Sequence, residues 1–183
     1  MENIEAKNEE NTSTPMKTQK ILLGVQIFLR VLTVATTLTA AALMVTNKQT
    51  VSIGGFVLDA KYSYDPTFKF FALANFIVCA CTTLSLLFLY LAGRKGCNPN
   101  HYFMLFIHDL LAMSLVLAGF AAGTAIGYVG KYGNFHTGWM SICDQFGKFC
   151  KRGTASMTIS FLGLLSLLIL TIISANKSRQ IQV

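Results

Sequence analysis

Four long apolar runs constrain this chain more than any other feature. A helix that crosses a bilayer needs roughly 20 apolar residues, because the hydrocarbon core is about 30 Å thick and each residue rises about 1.5 Å. Ile21 to Val45, Phe68 to Leu91, Tyr102 to Val129 and Thr154 to Ala175 all reach that length. The remaining residues are too few to cover four such helices in water. Only 13% of the 183 residues are charged, whereas soluble domains carry about 25%. The expected fold class is therefore all-α membrane: a four-transmembrane-helix bundle over residues 21–175, with short outer-loop elements.

Residues 1–20 include Glu2, Glu5, Glu9, Glu10, Asn11, Thr12, Ser13 and Pro15 and read as a disordered tail by composition. They do not resemble a signal peptide, which begins with a basic stretch leading straight into a short apolar one. The first run is thus expected to remain as an anchor. Residues 176–183 form a second, basic tail.

Four spans put both tails on one side, and basic residues are the usual guide to which side. Here they divide evenly. Lys7, Lys17, Lys20, Arg94, Lys95, Lys177 and Arg179 lie in the tails and the 92–101 loop. Lys48, Lys61, Lys69, Lys131, Lys148, Lys151 and Arg152 lie at the other end. The first helix often dominates orientation, and Lys17 and Lys20 flank its start. Cysteine use points the same way. Cys143 and Cys150 lie seven residues apart in the long loop between spans three and four, a separation that a bridge across a short turn can close. The alternative is two free thiols. A disulfide requires an oxidising compartment, which places that loop outside and both termini in the cytosol. Cys97 is then a cytosolic thiol near the membrane and a candidate for acylation. Cys79 and Cys81 read as small packing residues. The acceptor patterns at Asn11 and Asn176 fall in the tails and are expected to stay unglycosylated.

Two ionisable residues interrupt the spans. Arg30 lies about 14 Å past Ile21 along a helix, and Asp109 lies about 10 Å past Tyr102. Spans one and three run in the same direction, so the two charges sit at similar depth. Each alone costs roughly 2.5–3.5 kcal/mol at mid-span, and one contact relieves both. An Arg30–Asp109 ion pair between spans one and three is expected. It reads as a register lock for the helices, with a proton or ion relay as the alternative. Relays and transporters usually have more polar lining or helices broken by Gly and Pro, and no Pro lies within these spans. His108 points about 100° away from Asp109 by helical period and reads as a packing residue.

Gly119, Gly123 and Gly127 repeat every four residues along one face of span three. Such a face lets a neighbouring backbone approach closely, within the bundle or between subunits. Thr33, Thr37 and Ala41 repeat likewise in span one, with hydroxyls able to bond to their own helix or across to another.

In the loop from Gly130 to Arg152, Trp139, Ile142, Cys143, Phe146, Phe149 and Cys150 recur at three- and four-residue spacing. That predicts a short amphipathic helix on the outer surface, presenting Trp139, Ile142, Phe146 and Phe149 as a platform or as a lid on the bundle. In the first outer loop, Thr46 to Thr67, apolar residues around Gly54–Gly55 predict a hairpin-like element. Neither loop has a metal-ligand cluster, a nucleophile with its base or a phosphate loop. No cofactor and no enzymatic activity are expected. The net charge of +7 sits at span ends, facing headgroups, without the basic stripe that nucleic acid needs.

Arg30, Asp109, the run Phe68-Lys69-Phe70-Phe71-Ala72-Leu73-Ala74-Asn75 and the loop Thr137-Gly138-Trp139-Met140-Ser141-Ile142-Cys143 through Phe149-Cys150 together resemble the plant Casparian strip membrane protein-like family. The resemblance is greatest to its group 1 CASP-like proteins and covers spans one to four and the second outer loop, nearly everything except the two tails. The resemblance implies a multi-pass plasma-membrane protein with cytosolic termini, similar in layout to MARVEL-domain tetraspans. It also implies homo- or hetero-oligomers with related tetraspans, contact with membrane lipids, and association with other membrane or cell-wall proteins. Casparian strip members form a membrane scaffold that directs local wall modification. The first outer loop lacks their characteristic stretch, so a scaffold at another membrane domain is the expectation. A channel or transporter subunit, or a regulator of another membrane protein, is the alternative.

Overall fold

The computed structural model describes residues 2–93 and 99–181. Four helices, α1 (Glu2–Val45), α2 (Pro66–Gly93), α3 (Pro99–Tyr132) and α4 (Gly147–Ile181), carry the chain. Two strands, β1 (Lys48–Ile53) and β2 (Phe56–Lys61), lie between α1 and α2. All four helices contain stretches long and apolar enough to cross a membrane: Ile21–Val45, Pro66–Leu91, Phe103–Tyr132 and Gly147–Arg179. The protein is thus a multi-pass membrane bundle. Arg94, Lys95 and Cys97 lie outside the described residues.

α1 packs chiefly on α2 and α4, and α3 on the same two neighbours. The helices therefore form a ring in which α1 faces α3, and α2 faces α4, across the diagonals. The outward faces carry side chains such as Phe28, Leu73, Leu84, Leu111, Leu162 and Ile172. Lipid solvates these as well as a protein core would, so burying them gains little. The interior mixes apolar clusters, one around Leu29, Val78, Val116 and Leu167, another around Met44 and Phe71, with an unusual run of buried polar side chains.

Local chemistry sets the helix ends. Asp65 caps α2: its Oδ1 accepts from the Thr67 amide at 2.7 Å, and Pro66 takes the first helical position, where a missing N–H costs nothing. α3 ends at Gly133, whose φ is +71° and whose amide donates back to the Val129 carbonyl. The first outer loop forms a hairpin, pairing Lys48 with Lys61 through Ile53 with Phe56. Gly54 and Gly55 both have positive φ, as a tight two-residue turn requires.

Two expectations change. The polar stretch read as a disordered tail continues α1 back to Glu2. Its Glu, Lys and Gln residues are good helix formers, and extension from an existing helix needs no new nucleus. The amphipathic helix expected over Trp139–Cys150 does not form. Instead a 3-10 turn at Phe135–Thr137 and a single bridge between Asn134 and Trp139 lead into α4, which starts at Gly147. Gly138, in a left-handed conformation, reverses the chain just before Trp139, so spacing that mimics a helix is spread over a turn.

Candidate functional site

The buried charges meet at the bundle centre. Arg30 of α1 donates from Nη1 to Asp109 Oδ1 at 2.9 Å and from Nη2 to Asp109 Oδ2 at 2.8 Å. This bidentate pair spans the α1–α3 diagonal, and both side chains are at most 1% exposed. The remaining helices close around it. Ser85 of α2 accepts from Arg30 Nη1 at 2.7 Å, and Ser174 of α4 donates to Asp109 Oδ2 at 3.0 Å. His108, expected to point away from Asp109 as a packing residue, instead brings its Nδ1 to 3.2 Å from Asp109 Oδ1, because the ring is long enough to reach the carboxylate of the adjacent residue. Each carboxylate oxygen thus has two partners, and every helix contributes a side chain, α3 contributing both Asp109 and His108. A bidentate pair whose carboxylate oxygens are all engaged in this way goes far to offset its desolvation, with the Nε of Arg30 left without a protein partner.

A second tie crosses the other diagonal. Ser160 of α4 donates to Asn75 Oδ1 of α2 at 2.9 Å, and Asn75 returns its amide to the Phe71 carbonyl. Ser156 donates to the Ala40 carbonyl, joining α4 to α1. Thr33 and Thr37 bond to their own helix, at the Leu29 and Thr33 carbonyls.

The glycine repeat faces inward. A Cβ on Gly119 would stand 3.2 Å from Ala74 Cβ and 3.4 Å from Phe71 Cα. One on Gly123 would meet the Met157 methyl at 3.2 Å, and one on Gly127 would meet it at 3.5 Å. The stripe therefore lets α3 approach α2 and α4 within one bundle.

At the opposite end from the tails, the two outer loops are joined through Phe149. Its amide, one of the unpaired donors at the start of α4, donates to Gln49 Oε1 at 2.7 Å. Its carbonyl accepts from Asn47 Nδ2 at 2.9 Å, and its ring meets Phe68 edge-on at 6.1 Å. The first loop thus caps the helix that follows the second. Next to this cap the Cys143–Cys150 disulfide, with Cα atoms 5.7 Å apart, ties the first turns of α4 to the loop before it. The four aromatic and aliphatic residues expected as one platform divide. Phe146 is buried and Phe149 half-buried, whereas Trp139 and Ile142 are 56% and 52% exposed.

Two predictions follow from this end of the molecule. Replacing Cys143 and Cys150 by Ser should lower stability by about 2 kcal/mol, a value set by the short loop the bridge closes; thermal unfolding with and without reductant measures it, and the serine variant should be insensitive to reductant. Gly133→Ala should unseat the same loop. It imposes a Cβ on a positive φ, and that Cβ would lie 2.7 Å from the Trp139 carbonyl oxygen. Altered Trp139 fluorescence and raised protease cleavage after residue 133 are expected.

The hairpin carries a small electrostatic element. Lys61 lies 2.7 Å from Asp59, and the Tyr64 hydroxyl donates to the same carboxylate oxygen. The Lys61 hydrogen bond, then that of Tyr64, hold the Asp59 carboxyl below its ordinary 3.8, and Asp59 holds the Lys61 ammonium above its ordinary 10.5. The Asp59 contribution is full above its unfolded value and lost as pH falls through the lowered one. The Lys61 contribution is full below its unfolded value and lost as pH rises through the raised one. Hairpin amide shifts near Tyr64 should stay flat between these limits and move outside them, with little effect on stability since both groups are exposed.

The sequence does not single out Ser85, Ser174, Ser160, Asn47 or Gln49, and it marks Asn75 only as the end of the run that opens span two. Only a helical projection from the charged residues could have found the interior ones, since isolated Ser and Asn are common in spans. Among the described residues no three His, Cys, Asp or Glu side chains gather as a metal site would need.

The model of the Casparian strip membrane protein domain matches residues 19–166, a range that holds Arg30, Asp109, the glycine repeat and both bridged cysteines. The chain is 60% identical to CASP-like protein 1F2 of Populus trichocarpa over 183 residues, covering all of both chains. It is 58% identical to CASP-like protein 1F1 of Ricinus communis, again over the whole of both. CASP-like protein 1F1 of Arabidopsis thaliana is 38% identical over 172 residues, 94% of this chain and 97% of that one. No solved structure matches the chain.

Proposed function

The chain belongs to the Casparian strip membrane protein domain family, and from that premise we propose that it is a non-catalytic scaffold subunit. It sits in the plasma membrane with both termini in the cytosol. There it oligomerises with itself or with related tetraspans to organise a membrane domain, linked to local modification of the cell wall. The observation that carries this reading is the closure of the polar interior. The Asp109 carboxylate and both terminal nitrogens of Arg30 are engaged by each other and by Ser85 and Ser174, and the glycine face is filled by α2 and α4. The surfaces left for partners are the lipid-facing sides of the helices and the outer loops around Trp139.

A transport role would need the same charges free to exchange partners along a path. Their four-helix enclosure favours a fixed lock instead. Photobleaching of the full-length fluorescent fusion in plant plasma membrane tests the scaffold reading. Slow recovery with a large immobile fraction is expected, and recovery at the rate of a free four-span monomer would refute it.

A further inference from the structure

Six buried side-chain nitrogen or oxygen atoms among the described residues have no protein hydrogen-bond partner, and five surround the ion pair. They are both amide atoms of Gln26, Nε of Arg30, Oγ1 of Thr82 and Nε2 of His108. Gln26 is 1% exposed and lies one helical turn before Arg30, on the same face of α1. The residues at its level on α2 and α3 are Leu89, one turn after Ser85, and Leu105, one turn before Asp109. These two leucines pack together and offer the amide nothing, and Ser178, half-buried one turn after Ser174 on α4, makes no hydrogen bond to it. A buried amide is costly unless something completes its hydrogen bonds, and lipid supplies no partner.

We propose that water bridges the Gln26 amide to Nε of Arg30, making the ion-pair layer a closed hydration site. The donor and acceptor inventory selects the ligand. Gln26 Nε2 and Arg30 Nε donate, whereas Gln26 Oε1 only accepts. A molecule that both donates and accepts satisfies all three, as buried waters with about three partners do. An anion such as chloride would suit the two donors but meet the lone pairs of Gln26 Oε1. It would also add an unpaired charge beside a guanidinium that Asp109 already neutralises. The packed Leu89 and Leu105 separate the layer from the tails on the side of α2 and α3, so the water bridges a local site and does not belong to an open channel. The inference rests on this packing and not on the scaffold role.

Water-edited solid-state NMR of the 15N-labelled full chain in lipid bilayers tests it. Rapid magnetisation transfer from water to the Gln26 side-chain amide and to Arg30 Nε–H is expected, with no change on replacing chloride by a large organic anion. In Gln26→Met the transfer to Arg30 Nε–H should fall at least two-fold, while the Nη shifts that report the Asp109 pair stay in place. No transfer to either group in the wild-type chain would overturn the proposal. So would Arg30 Nε shifts that follow chloride concentration, or unchanged transfer to Nε in a folded Gln26→Met. If that variant does not fold, the wild-type transfer and its chloride dependence decide alone.

Discussion

Asp109→Ala is expected to destabilise the bundle by about 3–5 kcal/mol. The change strands Arg30, which is 0% exposed, with Ser85 as its one remaining side-chain partner among the described residues. It also removes the acceptor for Ser174 and for His108 Nδ1. An isolated charge cannot snorkel from this position, since its helix face is turned into the ring. Asp109→Asn preserves the shape but not the charge and should lose nearly as much. Reversible unfolding in mixed micelles measures the cost, and loss of delivery to the cell surface is the cellular counterpart. The contrast that makes the prediction specific is the double variant Arg30→Met with Asp109→Leu. Replacing a whole buried pair by apolar side chains is often neutral or stabilising, so this variant should lie within about 1 kcal/mol of the parent. Similar losses in the single and double variants would show that the charges do more than balance each other.

Gly119→Leu should cost about 3 kcal/mol, at the upper end of what overpacking does. Even a Cβ there would stand tightly against Ala74 Cβ at 3.2 Å, with Phe71 Cα just behind it, and neither atom is the end of a flexible side chain that could swing aside. The larger side chain must part α2 from α3 and disturb the neighbouring Asn75–Ser160 tie. An alanine series should be graded. Gly119→Ala should be the most costly and Gly127→Ala nearly silent, because the latter meets the flexible end of Met157 at an ordinary contact distance. The same unfolding measurement gives the order. An ungraded series, or one in which only self-association changes, would mean that the stripe serves contacts between subunits.

The spans were legible because lipid imposes one strict requirement, length, that apolar residues record directly. Arg30 and Asp109 stood out because a charge within such a run is costly enough to demand a partner at its own depth. Their serine partners did not stand out, because Ser85 and Ser174 differ little from serines that bond only to their own helix, such as Ser114. The Phe149 cap was hidden for another reason. Asn47 and Gln49 lie about a hundred positions from it in the chain, and nothing in their local pattern marks the destination. The outer loop misled because spacing of three and four residues records a helix only where the backbone keeps winding. Gly133 and Gly138, both at positive φ, fold that segment into turns, so Phe146 faces inward while Trp139 and Ile142 face out. The two glycines were the available signal against a helix.

The central claim is that the buried charges hold the bundle together while its work is done on the outside. Photobleaching recovery of the Arg30→Met, Asp109→Leu double variant in the plasma membrane tests it most directly. Recovery as slow as that of the parent chain, with the same immobile fraction, is the predicted result. A double variant that reaches the membrane folded yet recovers as fast as a free monomer would contradict it.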